Sequence, residues 1–141
     1  MQRRKARQLV LRALYQQEFV NSPIDEVISE LNPRDQEPYI KETLHGIKSH
    51  LPQLDELIEH YALGWRVERL AIVDRSILRL ALYELLYSMQ IPPEVAIDEA
   101  VELAKKYGTD NAPSFINGIL DRAWKEDGES KTPADKIPSN P

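Results

Sequence analysis

The chain has 141 residues, 42% of them apolar and 29% charged, which is enough for one globular core and argues against wholesale disorder. Its 18 basic and 23 acidic residues leave a formal net charge of −5, so the overall field repels polyanions. Without a cysteine, disulfides, thiolate catalysis and Cys-ligated zinc are excluded.

The first twelve residues carry Arg3, Arg4, Lys5, Arg7 and Arg12 and no acid. Cations at a helix start oppose the macrodipole, a cost that an anionic partner would offset. On an acidic chain this arm is a local patch that points to RNA or DNA; the alternative is plain solvation. Arg12 and Gln16 interrupt any secretory apolar segment, and no apolar run approaches the ~18 residues that span a bilayer. A cytoplasmic location is expected. Ala6, Leu9, Val10, Ala13, Leu14 and Gln17 share one arc of a helix over about residues 3–20. Arg4, Arg7, Leu11 and Tyr15 fall on a second arc roughly 80° wide, a mixed face suited to a macromolecular partner. The alternative is that Leu11 and Tyr15 pack on a neighbouring helix.

Ser22-Pro23 reads as N-cap and first residue of a short helix through Ile24, Val27, Ile28 and Leu31, which Asn32-Pro33 breaks. A third helix covers about 35–50, with Tyr39, Ile40, Leu44 and Ile47 in register. Pro52 permits a fresh start, and Leu54, Leu57, Ile58 and Tyr61 carry a fourth helix to near Gly64. The longest segment runs from about Val67 to Met89. Its apolar residues cover more than one face, so this helix is expected at the centre, buried on several sides. Arg75 and Arg79 are i,i+4 neighbours within it. Arg79, set in an apolar run, is either partnered internally or aimed out of a groove. Pro92-Pro93 ends the segment. Asp98 is the expected N-cap of a helix to Tyr107, with Gly108 as the stop. Pro113 opens a last helix through Phe115, Ile116, Ile119, Leu120 and Ala123. No strand and no repeat is visible. From Lys125 onward only Ala134 and Ile137 are apolar and three prolines appear. A folded domain over 1–124 and a disordered polar tail over 125–141 are therefore expected.

Catalytic constellations are not found. His45, His50 and His60 lack metal-ligand spacing, and the five glycines are too scattered for a phosphate-cradling loop. Nothing assembles a nucleophile, a base and an orienting group, so neither an enzyme nor a cofactor is expected. Lys105 and Lys106, by contrast, end one helix just before another that bears Phe115 and Asn117. A helix N-terminus attracts phosphate, and an aromatic ring beside it can stack an unpaired base. The alternative, and the stronger reading for Phe115 taken by itself, is a core position.

Several stretches taken together resemble a known family. They are Arg3-Arg4-Lys5-Ala6-Arg7 with Ala13-Leu14-Tyr15, then Asp74-Arg75, Leu78-Arg79-Leu80-Ala81 and Tyr83-Glu84-Leu85. Val95-Ala96-Ile97, Glu99 to Lys105, Tyr107-Gly108 and Phe115-Ile116-Asn117-Gly118-Ile119-Leu120-Asp121 follow in order. From residue 3 to about 123 the chain is similar to the transcription antitermination factor NusB family. The resemblance implies an all-α fold of about seven helices in two small subdomains. It implies binding of the single-stranded boxA element of nascent ribosomal RNA together with NusE, a small-subunit ribosomal protein, in the antitermination complex of RNA polymerase. Arg3, Arg4, Lys5 and Arg7 match the family's RNA-binding motif and Phe115 its base-stacking aromatic, with Asn117 beside it. Tyr15 and Asp74 fall at positions the family places toward NusE. A homodimer in the free state is left open. So are two other roles: a NusB-like accessory domain such as some ribosomal RNA methyltransferases carry, and a helical adaptor that binds protein alone. The first would need a truncated chain, and the Pro-rich end is expected to be a natural terminus.

Overall fold

A computed structural model describes residues 1–88 and 90–128. Seven helices build it: α1 (Arg3–Gln17), α2 (Ile24–Leu31), α3 (Glu37–Ser49), α4 (Leu51–Tyr61), α5 (Ile72–Leu86), α6 (Pro93–Tyr107) and α7 (Ala112–Ala123). There is no strand among the described residues, as helical periodicity predicts. No helix among them is long and apolar enough to cross a membrane.

The apolar run of α5 places it at the centre, where Ile77, Leu78, Leu82 and Leu85 have no exposed surface. It packs against α1 and α3 and also against α4, α6 and α7. Helices α1–α3 and α4–α7 thus form two small groups around one shared core. The helix is shorter than its apolar pattern predicts. Val67–Arg69 form a 3-10 turn, Leu70 and Ala71 are extended, and α5 begins only at Ile72. The Val67 N–H donates to Glu59 Oε2 at 2.9 Å, a bond from outside the segment that holds the turn apart from the helix.

Other boundaries differ from the expected ones for local reasons. α1 ends at Gln17 rather than near 20. α2 opens at Ile24 after Pro23, and no side chain takes the N-cap role expected of Ser22; Asp25 and Glu26 place favourable charge in its first turn instead. Asn32, in the left-handed conformation, ends it. α6 begins at Pro93, because proline's missing N–H is harmless at a first helical position. α5 has already ended at Leu86, so the proline pair does not stop that helix as expected but only starts the next, and Asp98 is a residue in mid-helix rather than an N-cap.

A π-type turn, Trp124–Gly128, continues from α7 through the first residues assigned to the tail. Trp124 packs against the core, the Tyr61 hydroxyl donates to Asp127, and His60 meets Glu126 at 3.4 Å. Composition alone could not reveal these contacts with α4. The rest of the expected tail, 129–141, lies outside the described residues.

Candidate nucleic-acid interface

The basic arm begins α1, where Gln2 supplies no side-chain cap and no acid stands in the first turn. Its charge is answered from other elements. Arg3 Nε donates to Gln36 Oε1 at 2.8 Å, and its guanidinium lies 4.2 Å over the Tyr39 ring. Arg4 forks onto Glu99 of α6, Nε to Oε1 at 3.2 Å and Nη2 to Oε2 at 2.6 Å. Arg3, Arg4 and Lys5 are all exposed.

Arg7 is different: it is 4% exposed. Its Nε donates to Glu84 at 2.9 and 3.2 Å, and Nη1 reaches Glu99 Oε1 at 3.4 Å. The Tyr39 hydroxyl donates to the same Glu84 carboxylate at 2.6 Å. Burial, and then the Glu84 charge, push that phenol far above its usual range. Arg7, which the motif implies as an RNA ligand, is in this structure an internal strut joining α1 to α5 and α6, turned away from the surface. The helical arc that holds Arg7 and Leu11 turns inward, so only its two ends, Arg4 and Tyr15, reach the surface.

Glu99 holds its proton less readily than an ordinary glutamate. The Arg4 hydrogen bond is the chief cause, outweighing partial burial, and the charges of Arg4 and Arg7 add to it. A pocket of about 310 Å³ opens beside this network, with Gln8, Glu102, Lys105 and Lys106 in its wall.

Tyr15 is 45% exposed and pairs with the Phe19 ring at a centroid distance of 5.3 Å. With Lys5, Arg12 and Tyr107 it lines a second groove of about 430 Å³, and none of the lining residues is acidic. The other residue expected to face a partner lies elsewhere. Asp74 is 6% exposed, and its two oxygens accept the Thr109 N–H at 3.2 Å and the Thr109 hydroxyl at 2.7 Å. It fixes the turn from α6 to α7. Gly108 is packed so tightly there that a Cβ would lie 2.8 Å from the Ala104 carbonyl oxygen. Asp74, expected to face a partner, is thus buried and engaged in positioning the segment that leads to Phe115.

Phe115 is half-buried against the core, between the two roles open to it. Asn117 is exposed, with Nδ2 3.4 Å from Asp121 Oδ2. α6 connects the regions, since Glu99 meets the arm and Gly108 leads into α7. The remaining arginines of interest are internal. Glu18 Oε1 accepts from Arg75 Nε at 2.8 Å and Arg79 Nη1 at 3.1 Å, and Arg79 forks onto Asp55 at 2.8 and 3.0 Å. Arg79 thus has the internal partners that are one of its two alternatives.

Each histidine has a local partner: Asp25 for His45, the Gly46 carbonyl for His50 and Glu126 for His60. Among the described residues no group of three ligating side chains gathers as a metal site requires. Sequence reasoning missed Tyr39, Glu84 and Glu99 as partners of the arm. Glu84 stands 77 residues from Arg7 and Glu99 stands 95 from Arg4, so no local pattern could join them.

These features define a class: a small, acidic, all-helical protein that presents cations and aromatic rings on α1 and near the α6–α7 turn. The model of the NusB family matches residues 4–125. The transcription antitermination protein NusB of Pseudothermotoga lettingae is 46% identical over 131 residues, covering 87% of this chain and 91% of that one. That of Bacillus subtilis is 42% identical over 121 residues, covering 85% and 92%. The solved T. maritima NusB superposes with a TM-score of 0.83 at 43% identity, over 89% of this chain and 92% of that one. A structure of antitermination factors NusB and NusE in complex with dsRNA gives a TM-score of 0.78 at 27% identity, over 87% and 96%. The chain belongs to the NusB family.

Proposed function

We propose that this chain is a transcription antitermination factor that binds RNA together with NusE. Its target is the single-stranded boxA element of nascent ribosomal RNA transcripts, and it works in the cytoplasm within the RNA polymerase antitermination complex, with no chemistry of its own. The observation that carries this reading is the exposed row Arg3, Arg4 and Lys5 on a NusB-family chain of net charge −5. Such a row is a local phosphate site on a body that otherwise repels nucleic acid. Phe115 and Asn117 contribute base contacts, Phe115 through the part of its ring that is not packed. So short an arm neutralises few phosphates, too few for tight selective binding at physiological salt. NusE docked along the groove at Tyr15 extends the positive surface.

Titration of a boxA-like RNA with and without NusE, across a salt series, tests the reading. RNA affinity rises with NusE, and NusE affinity rises with RNA by the same factor. Replacing Arg3, Arg4 and Lys5 by alanine flattens the log–log salt slope by about 0.7 for each phosphate that is no longer neutralised, with the helical circular dichroism unchanged. Equal RNA affinity with and without NusE sinks the two-protein mechanism.

A further inference from the structure

The most exposed guanidinium of the arm's ion-pair network is already occupied by a carboxylate. Glu99 places two oxygens on Arg4 Nε and Nη2, the edge with which a guanidinium grips phosphate. The pair is lopsided: the Arg4 side chain is 62% exposed, whereas that of Glu99 is 14% exposed. Solvent, or an RNA backbone, therefore reaches the cation more easily than its partner.

We propose that Glu99 is an internal competitor for the RNA backbone, a carboxylate that holds Arg4 until a phosphodiester takes its place. The inference rests on the RNA-binding reading above. Two features make the exchange workable. Arg7 Nη1 stays 3.4 Å from Glu99 Oε1, so the carboxylate keeps a cation when Arg4 leaves and is not stranded as a buried lone charge. The pocket beside it carries Gln8, Lys105 and Lys106, which supply further donors to the incoming phosphate. Lys105 is only loosely engaged, 3.6 Å from Glu102 with both side chains more than half exposed. A polyanion attracted by charge alone meets Glu99 as a repulsive group. A strand also held by base contacts at Phe115 and Asn117 has the extra free energy needed to displace it. Glu99 thus sets how much of the affinity must come from bases and from the partner rather than from charge.

The test is a double-mutant cycle on the full chain, with NusE present and a boxA-like RNA as ligand. Glu99→Gln tightens RNA binding roughly three- to tenfold. Glu102→Gln, an equal charge change one turn along α6, gives a clearly smaller gain. In an Arg4→Ala background the gain from Glu99→Gln disappears. Absence of any gain, equality with Glu102→Gln, or persistence of the gain without Arg4 each overturns the inference while leaving RNA binding intact. A wild-type chain that binds no RNA overturns the functional reading itself. Should Glu99→Gln loosen the fold, the wild-type chain gives the answer by NMR. The Arg4 Nε–H resonance shifts on RNA addition if phosphate replaces the carboxylate, and a resonance that stays fixed at saturating RNA overturns the exchange.

Discussion

Arg3 and Arg7 stand one turn apart on α1, yet the two guanidiniums have opposite surroundings. Arg3 lies in solvent over an aromatic face, and Arg7 is enclosed by two carboxylates and a phenol. Removing one partner of a buried pair leaves a charge without compensation and costs about 3–5 kcal/mol. Arg7→Ala is therefore expected to lower the urea midpoint sharply, whereas Arg3→Ala leaves the midpoint in place and weakens RNA binding. Equal midpoints for the two variants would return Arg7 to the surface. Phe115 lies between these extremes. A fully buried Phe→Ala change costs about 3–5 kcal/mol, and loss of one stacked base about 1–3 kcal/mol of binding. Half-buried Phe115→Ala should show a loss in both denaturation and RNA titration, with the stability loss below the fully buried range. A fall in stability alone would make it purely a core residue.

Among elements, the end of α1 meets α4 and α5 at Glu18, Asp55, Arg75 and Arg79. Burial pushes the Glu18 carboxyl up, but the Arg75 hydrogen bond and the charges of Arg75 and Arg79 pull it further down, below the ordinary glutamate value of 4.5. Glu99 is lowered likewise by Arg4. Carboxyls depressed in the folded state contribute stability that is fully present above the unfolded value and is lost as pH falls through the folded one. Thermal melts are thus expected to lose stability as pH drops below about 4.5, with Glu18→Gln flattening that part of the profile. An unchanged profile in the variant would mean that the clamp does not contribute. This junction also marks the limit of what the chain discloses as a string. Helix positions are legible because 3.6-residue apolar spacing reports which face is buried. That Arg79 is either partnered internally or aimed out of a groove is legible too, but Asp55 and Glu18 as its partners are not, since pairing depends on how helices cross. Gly46, one of five scattered glycines by sequence, lies in α3 where the Tyr83 ring fills the space a Cβ would need. The arm can be read from its charge, while the inward turn of Arg7 and the burial of Asp74 cannot. Both depend on residues from elements far along the chain.

For the molecule as a whole, a shared core matters more than the division into two groups of helices. A chain this short buries too little surface for each half to be independently stable with much to spare. α5 touches α1, α3, α4, α6 and α7, so neither group can open without stripping its surface. Deuterium uptake should make this visible as a hierarchy of exchange. The amides of α5 wait for global unfolding, so their protection equals the full unfolding free energy, while α2 and the Trp124–Gly128 turn exchange through cheaper local openings. α1 and α6, which carry the arm and its acidic partner, should then lose their protection together rather than in sequence. Two separate denaturation steps, one for each group of helices, would contradict this. A ligand that binds the arm on α1 thereby slows exchange in α5, which it never touches, because the amides of α5 open only when the whole molecule does.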